Sequence, residues 1–190
     1  MIDYTSHIAD YFAKVQKVIN LIDKIEFSRV INLLESARKE DRQIFVMGNG
    51  GSAATASHYC CDFNKGISIH KDKRYRMICL NDNVPTLMAY ANDDGYGSIF
   101  VGPLQNFYRP SDVVIGISGS GNSENVVRAM QWAKEHGAVT VAFTGYDGGK
   151  LKQIADYGVH VPINDMQITE DLHMILDHCM YCVLTNNGEK

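Results

Sequence analysis

Along the first forty residues the apolar positions fall at three- and four-residue steps. Ile8, Tyr11, Phe12, Val15, Val18, Ile19 and Ile22 form one run; Ile25, Phe27, Val30, Ile31, Leu33 and Leu34 form another after Asp23-Lys24. That period is one face of a helix, taken twice. The second run closes in the charged stretch Arg38-Lys39-Glu40-Asp41-Arg42, and from there the pattern changes. Gln43 to Met47 is a short, β-rich apolar run that enters Gly48-Asn49-Gly50-Gly51-Ser52 directly. Met77 to Leu80 is a second, followed by Asn81-Asp82-Asn83 and a helical pattern from Pro85. Val113 to Ile117 is a third, running into Ser118-Gly119-Ser120-Gly121-Asn122-Ser123 and a helix through His136, before Gly137. Val139 to Phe143 is a fourth, ending in Thr144-Gly145, and Gly158 to Val161 is a fifth. From about Thr169 to Leu184, Leu172, Ile175, Leu176 and Cys179 return to helical spacing.

Strands alternating with helices in this way predict an α/β fold: a three-layer, doubly wound parallel sheet of about five strands. Runs as continuously apolar as Val113 to Ile117 are strands covered by helices on both faces. At 190 residues, with no linker, repeat or low-complexity tract, a single domain is expected. Residues 1–40 form its N-terminal helical hairpin and residues 41–190 its core. Those helices exceed what one face of a small sheet needs, and a hairpin reaching across to another subunit is a use for them.

Composition narrows the function classes. A net charge of −4 provides no broad basic surface, so nucleic acid is not expected as the primary partner. No apolar run approaches the roughly 18 residues of a membrane span, and the first residues lack the basic and apolar regions of a signal peptide. Five cysteines, an odd number, fit reduced thiols and a cytoplasmic location. Cys179-Met180-Tyr181-Cys182 lies within an apolar helix instead of opening one, so core packing accounts for it better than redox chemistry.

The two Gly/Ser loops are the strongest chemical signal. In an open parallel sheet, ligands bind beyond the carboxyl ends of the strands, where both loops fall. Each opens a helix, whose first N–H groups and partial positive charge attract anions. The hydroxyls of Ser52, Ser118, Ser120 and Ser123 suit the oxygens of a terminal phosphate. Tight turns with Ser or Asn as helix caps are the plain alternative for either loop alone. Neither loop completes a Walker or a dinucleotide-binding glycine pattern, so no nucleotide cofactor is expected.

These residues resemble a sugar isomerase (SIS) domain and, more closely, the phosphoheptose isomerases. The matching stretches are Gly48 to Ser52 with Ser57-His58, Ala91-Asn92-Asp93-Asp94-Gly95-Tyr96, Ser118 to Ser123, Thr144 to Lys150, and the helix around His173 and His178. They keep the family's order and spacing from about residue 40 to 182. The resemblance implies isomerisation of sedoheptulose 7-phosphate to a heptose 7-phosphate, an early step toward activated heptoses for surface glycans. It also implies a homotetramer with active sites at subunit interfaces, and in some members a bound zinc ion. Carried over by motif, Asn49, Gly50, Gly51, Ser52, Ser118, Gly119, Ser120 and Ser123 bind substrate, and Asp93 faces the sugar hydroxyls.

An aldose–ketose shift needs a base at carbon and an acid for the oxygens. Read from spacing alone, His58 and Asp62 share one helical face, and Glu170 and His178 lie two turns apart on the last helix. A lone helical histidine is more often structural; four such residues beside two phosphate loops point to a site. Against the family pattern Asp62 replaces Glu, Glu170 replaces Gln, Gly119 stands where many relatives have Thr, and Lys65 lies near where they often carry Arg, which leaves Lys65 as an expected second contact to the sugar or phosphate. Glu170 or Asp62 is therefore the expected base and His178 the acid. His58, Asp62, Glu170 and His178 also make a donor set that suits zinc, though a structural metal or none fits the spacing equally. Two alternatives stay open: isomerisation of another sugar phosphate, and a sugar-phosphate-sensing or protein-binding module without turnover.

Overall fold

The computed structural model describes residues 2–186. Two helices lead, α1 (Thr5–Ile19) and α2 (Lys24–Lys39). Asp23 starts α2 by accepting hydrogen bonds from the backbone N–H groups of Ile25 and Glu26 at 2.8 and 3.1 Å. Then follow β1 (Ile44–Gly48), α3 (Gly51–Cys61) continuing into a π-helical segment at Asp62–Ile67, β2 (Met77–Cys79) and α4 (Val84–Asp93). After a short turn at Tyr96–Ser98 come α5 (Val101–Phe107), β3 (Val113–Ser118), α6 (Glu124–Glu135) and β4 (Val139–Thr144). The chain continues through α7 (Gly149–Ile154), β5 (Tyr157–His160) and α8 (Met166–Asn186).

The strands pair in parallel in the order β2-β1-β3-β4-β5. The winding reverses between β1 and β3, whose ends are in register at Gly48 and Ile117. That is the switch point of a doubly wound sheet, where the crevice opens. Both Gly/Ser loops leave the sheet there.

Period-two alternation distributes the apolar strand residues between two cores. Ile44, Val46, Ile115, Ile117 and Phe143 join Val30, Leu34, Tyr59 and Leu172 on the face covered by α2, α3 and α8. Phe45, Met47, Val114 and Ala142 join Leu104, Val126 and Met130 on the face covered by α5 and α6. Every residue of β1 and β3 is buried, the reason their runs read as unbroken. Truncating Leu34 or Phe143 to Ala would cost about 2–5 kcal/mol.

The predicted architecture holds, with small corrections. β1 runs one residue further, because Gly48 still pairs with Ile117. β5 is shifted back by one, to Tyr157–His160. α8 begins at Met166, since Asp165 Oδ1 accepts from the Ile168 N–H at 3.3 Å and starts it early. The buried stripe of α8 is Leu172, His173, Leu176, Asp177, Met180 and Leu184. Cys179 and Cys182 therefore face outward and do not fill the core. Cys61 is exposed as well, whereas Cys60 and Cys79 are buried. No helix among the described residues is long and apolar enough to cross a membrane.

Candidate active site

The first loop is tied at its base. Asn81, just past β2, accepts from the Gly48 N–H at 3.1 Å and donates to the Gly48 carbonyl at 2.7 Å. Gly50 then takes φ +53°, a value side chains disfavour, and turns the chain into α3. Gly51, the first residue of α3, lies so close to Glu170 of α8 that any Cβ there would run into the carboxylate. The Glu170 carboxylate thus rests on the positive end of α3, a favourable place for an anion.

The second loop leaves its helix start open. Ser123 precedes α6 without capping it, because its hydroxyl pairs with Ser118 Oγ at 3.1 Å. The loop is braced from behind, where Gly145 N–H donates to the Gly119 carbonyl at 2.8 Å and Leu151 N–H to the Gly121 carbonyl at 3.0 Å. The side chains of Asn49 and Asn125 exchange hydrogen bonds at 2.8 and 2.9 Å, and Tyr96 donates its hydroxyl to Asn49 at 3.0 Å. These bonds lock the two loops to each other. A cleft of about 210 Å³ results, lined by Asn49, Gly50, Ser52, Ser118, Gly119, Ser120, Ser123, Met166 and Glu170. Met166 Sδ fills the space beside Gly119, only 2.5 Å from where a Cβ would stand. A threonine at 119, as in many relatives, would require Met166 to move.

A second cluster forms where α3 crosses α8. His58 Nε2 lies 3.1 Å from His178 Nε2, 3.6 Å from Asp62 Oδ2 and 3.9 Å from Asp177 Oδ2. One donor atom from each of the four falls within 4.8 Å of the others. Asp62 begins the π-helical segment, whose wider turns often mark functional positions. Asp177 is fully buried, and neither carboxylate oxygen has a hydrogen-bond partner. Burial, with the Asp62 carboxylate beside it, pushes the Asp177 carboxyl up to about 8. One turn back, burial lowers the His173 imidazole to about 4; its Nε2 lies 3.4 Å from the Thr144 carbonyl.

The structure brings together most of the sequence-predicted residues, in two groups instead of one. Asn49, Gly50, Ser52, Ser118, Gly119, Ser120, Ser123 and Glu170 share the cleft, with Gly51 beneath Glu170. His58, Asp62 and His178 share the cluster. Glu170, expected among the metal donors, is not one of the residues whose donor atoms converge there, whereas Asp177 is. Asp93 ends α4 exposed, bonded to Asn92 at 2.7 Å, and Lys65 is exposed on the π-helical segment. Neither lines the cleft. Asp177, Asn125 and Met166 were missed. Asp177 had a signal: it lies four residues past His173 and three before Met180, on a stripe where an apolar residue belongs.

The arrangement suits a sugar phosphate: an uncapped helix start and a carboxylate share the crevice, and two imidazoles cluster farther along α8. The SIS domain model matches residues 4–145. The chain is 38% identical to the phosphoheptose isomerase of Aquifex aeolicus over 80% of its length and 78% of the relative's. It is 33% identical to that of Clostridium acetobutylicum over 93% and 90%. The phosphoheptose isomerase structure from Neisseria gonorrhoeae superposes with a TM-score of 0.88 at 28% identity, covering 96% of this chain and 98% of that one. The chain belongs to the SIS-domain proteins and, within them, to the phosphoheptose isomerase family.

Proposed function

We propose that this chain interconverts sedoheptulose 7-phosphate and a heptose 7-phosphate through an enediolate, for the synthesis of activated heptoses. One observation carries the reading: the Glu170 carboxylate lines the same cleft as the serine hydroxyls. The phosphate binds at the uncapped start of α6, with Ser118, Ser120 and Ser123 as donors. Ser52 and the Asn49 side of the first loop complete the cradle. The sugar then bends back along α8, so that C1 and C2 lie between the side chains of Glu170 and His178, whose backbone positions are two turns, or about 12 Å, apart.

Glu170 removes the proton from C1 of the ketose and returns it to C2, and His178 serves the two oxygens as acid. Asp62 is the weaker candidate for base. Its carboxylate is 3.6 Å from His58 Nε2 within the cluster, and its side chain is a methylene shorter than the family's Glu. A misplacement of about an ångström costs on the order of 10²-fold in rate.

The cluster fits a metal: two imidazoles and a carboxylate converge, and the buried carboxylate of Asp177 beside them has no other partner. His58, Asp62 and His178 would hold it, with zinc the ion suited to nitrogen and oxygen ligands. When bound, it would supply Lewis-acid polarisation of the sugar oxygens, the task otherwise left to His178.

The chain acts as a homotetramer in the cytoplasm. Ile8 and Phe12 on α1 and Ile25 on α2 are 51%, 66% and 70% exposed, an apolar surface that assembly would cover. Sedimentation equilibrium reads the state directly, and a monomer would end the assembly reading.

The test of function is incubation with sedoheptulose 7-phosphate in D₂O, followed by NMR. An aldose anomeric signal with deuterium at C2 is expected. No exchange with this or any other sugar phosphate would leave a binding module without turnover.

A further inference from the structure

We propose that Asp177 is the fourth ligand of a divalent-metal site whose other ligands are His58, Asp62 and His178, and that Glu170 is no part of it. This rests on the metal reading given above and deepens it.

Three observations carry the assignment. Asp177 is wholly buried, yet both oxygens lack hydrogen-bond partners. A carboxylate taken out of water without a donor or a cation is among the costliest groups a fold can hold. Its Oδ2 lies 3.9 Å from His58 Nε2, so it is aimed into the cluster.

The separations also suit a metal. Bonds of about 2.0–2.1 Å arranged tetrahedrally put ligand atoms roughly 3.3 Å apart. The 3.1, 3.6 and 3.9 Å around His58 Nε2 bracket that value, and all four donor atoms lie within 4.8 Å of one another.

Charge gives the third. Two neutral imidazoles and two carboxylates neutralise a divalent cation, where the two carboxylates otherwise repel across the site. Glu170 has a different place, over Gly51 in the phosphate cleft. It is thereby free to move protons while the ligands stay fixed. Nitrogen and oxygen donors in this number favour zinc and its first-row neighbours over magnesium or calcium.

The experiment uses the full chain, stripped with EDTA and desalted, and titrated with Zn²⁺ against a chromophoric chelator. Co²⁺ serves as a second probe, whose visible absorption reports four-coordinate geometry. One equivalent should bind to the wild type. Asp177→Asn should weaken Zn²⁺ affinity by at least about 100-fold and alter the Co²⁺ spectrum, beyond the roughly 10–100-fold typical of outer-sphere partners. Glu170→Ala, which removes every donor atom of that side chain, should bind as the wild type does.

Because neither Asp177 oxygen has a hydrogen-bond partner to lose, metal-free Asp177→Asn should be at least as heat-stable as metal-free wild type, with the Zn²⁺-induced rise in melting temperature lost. Were Asp177→Asn not to fold, Asp177→Glu decides, since it keeps the carboxylate but lengthens its arm: weakened Zn²⁺ affinity with an altered Co²⁺ spectrum supports the assignment, and wild-type values overturn it. An Asp177→Asn protein binding zinc like the wild type would remove Asp177 as a ligand and leave the metal site standing. A wild type that binds no metal yet exchanges deuterium into its substrate would end this proposal and leave the isomerase reading intact.

Discussion

The phosphate cradle and the His/Asp cluster share helix α8 but are built differently. The cradle is made of strand ends and the turns that leave them, and its parts are bonded to one another: Asn81 to Gly48, Asn49 to Asn125, Gly145 to Gly119. The cluster is made of side chains on two crossing helices, 120 residues apart at His58 and His178. It contains buried oxygens with no hydrogen-bond partner. Backbone fixed by a sheet makes a rigid anion site; side chains brought together by helix packing can be poised for charge and chemistry at a cost in stability.

The largest effect should fall on the carboxylate that the cradle itself contains. Glu170→Gln is expected to lower kcat by roughly 10²–10⁴-fold, the usual worth of a positioned base. The KM for the sugar phosphate should change little, because the serine hydroxyls remain. Steady-state kinetics separate the two constants. If Asp62→Asn lost more activity than Glu170→Gln, the base would belong to the cluster and the division of labour drawn here would be reversed.

This contrast also explains what could be read from the chain. The sheet was legible because β1 and β3 are apolar on both faces and end in glycine-rich turns, so strand, loop and helix follow in order. The cradle was legible for the same reason: Ser118 to Ser123 is contiguous. The cluster depends on which faces of α3 and α8 meet, and a one-residue difference on a helix turns a side chain by about 100°. Spacing paired Glu170 with His178, whereas the packing pairs His178 with its neighbour Asp177. Cys179 and Cys182 were misread by the same mechanism, as the buried stripe passes on the other side of the helix.

A second test probes the stability side. His173 is held near 4 by burial, against 6.5 for an exposed imidazole. Above pH 6.5 both folded and unfolded chains carry it neutral, and it adds no slope. Between pH 6.5 and about 4 the unfolded chain takes up a proton that the folded one refuses, so stability falls as pH falls, by about 3 kcal/mol over the window. His173→Leu, similar in bulk, should remove that share. Urea unfolding of both proteins at pH 7 and 4.5 gives the difference, in which the opposite drift from Asp177 cancels. Equal losses in the two proteins would show that the imidazole is not held neutral.

Next in size is the cradle itself. Ser118 is buried, 4% exposed, with its hydroxyl beside Ser123. Ser118→Ala should raise KM by roughly 10- to 100-fold, the worth of about 1.5–3 kcal/mol for a hydrogen bond to a charged group. Since the phosphate is held equally in ground and transition states, kcat should stay near the wild-type value. A fall in kcat with KM unchanged would move Ser118 from anchoring to chemistry.

The smallest effects are the most discriminating, because each loosens one region and spares the other. Asn125→Ala removes both amide bonds to Asn49, at 2.8 and 2.9 Å, and so unlocks the two loops. Each such bond contributes about 1 kcal/mol net, so a several-fold rise in KM is expected, with zinc affinity untouched. Gly66→Ala acts at the other region. A Cβ there would press on the Tyr181 ring, which packs α8 against the π-helical segment that begins at Asp62. The ring must shift and α8 with it, moving Asp177 and His178 by a fraction of an ångström relative to His58. Zinc affinity and kcat should each fall several-fold, while inhibition by inorganic phosphate, which reads the cradle alone, keeps its wild-type constant. If the Gly66 variant weakened phosphate and the Asn125 variant weakened zinc to the same degree, the two regions would be one mechanical unit. The rigidity of the cradle would then depend on the same helix crossing that forms the cluster.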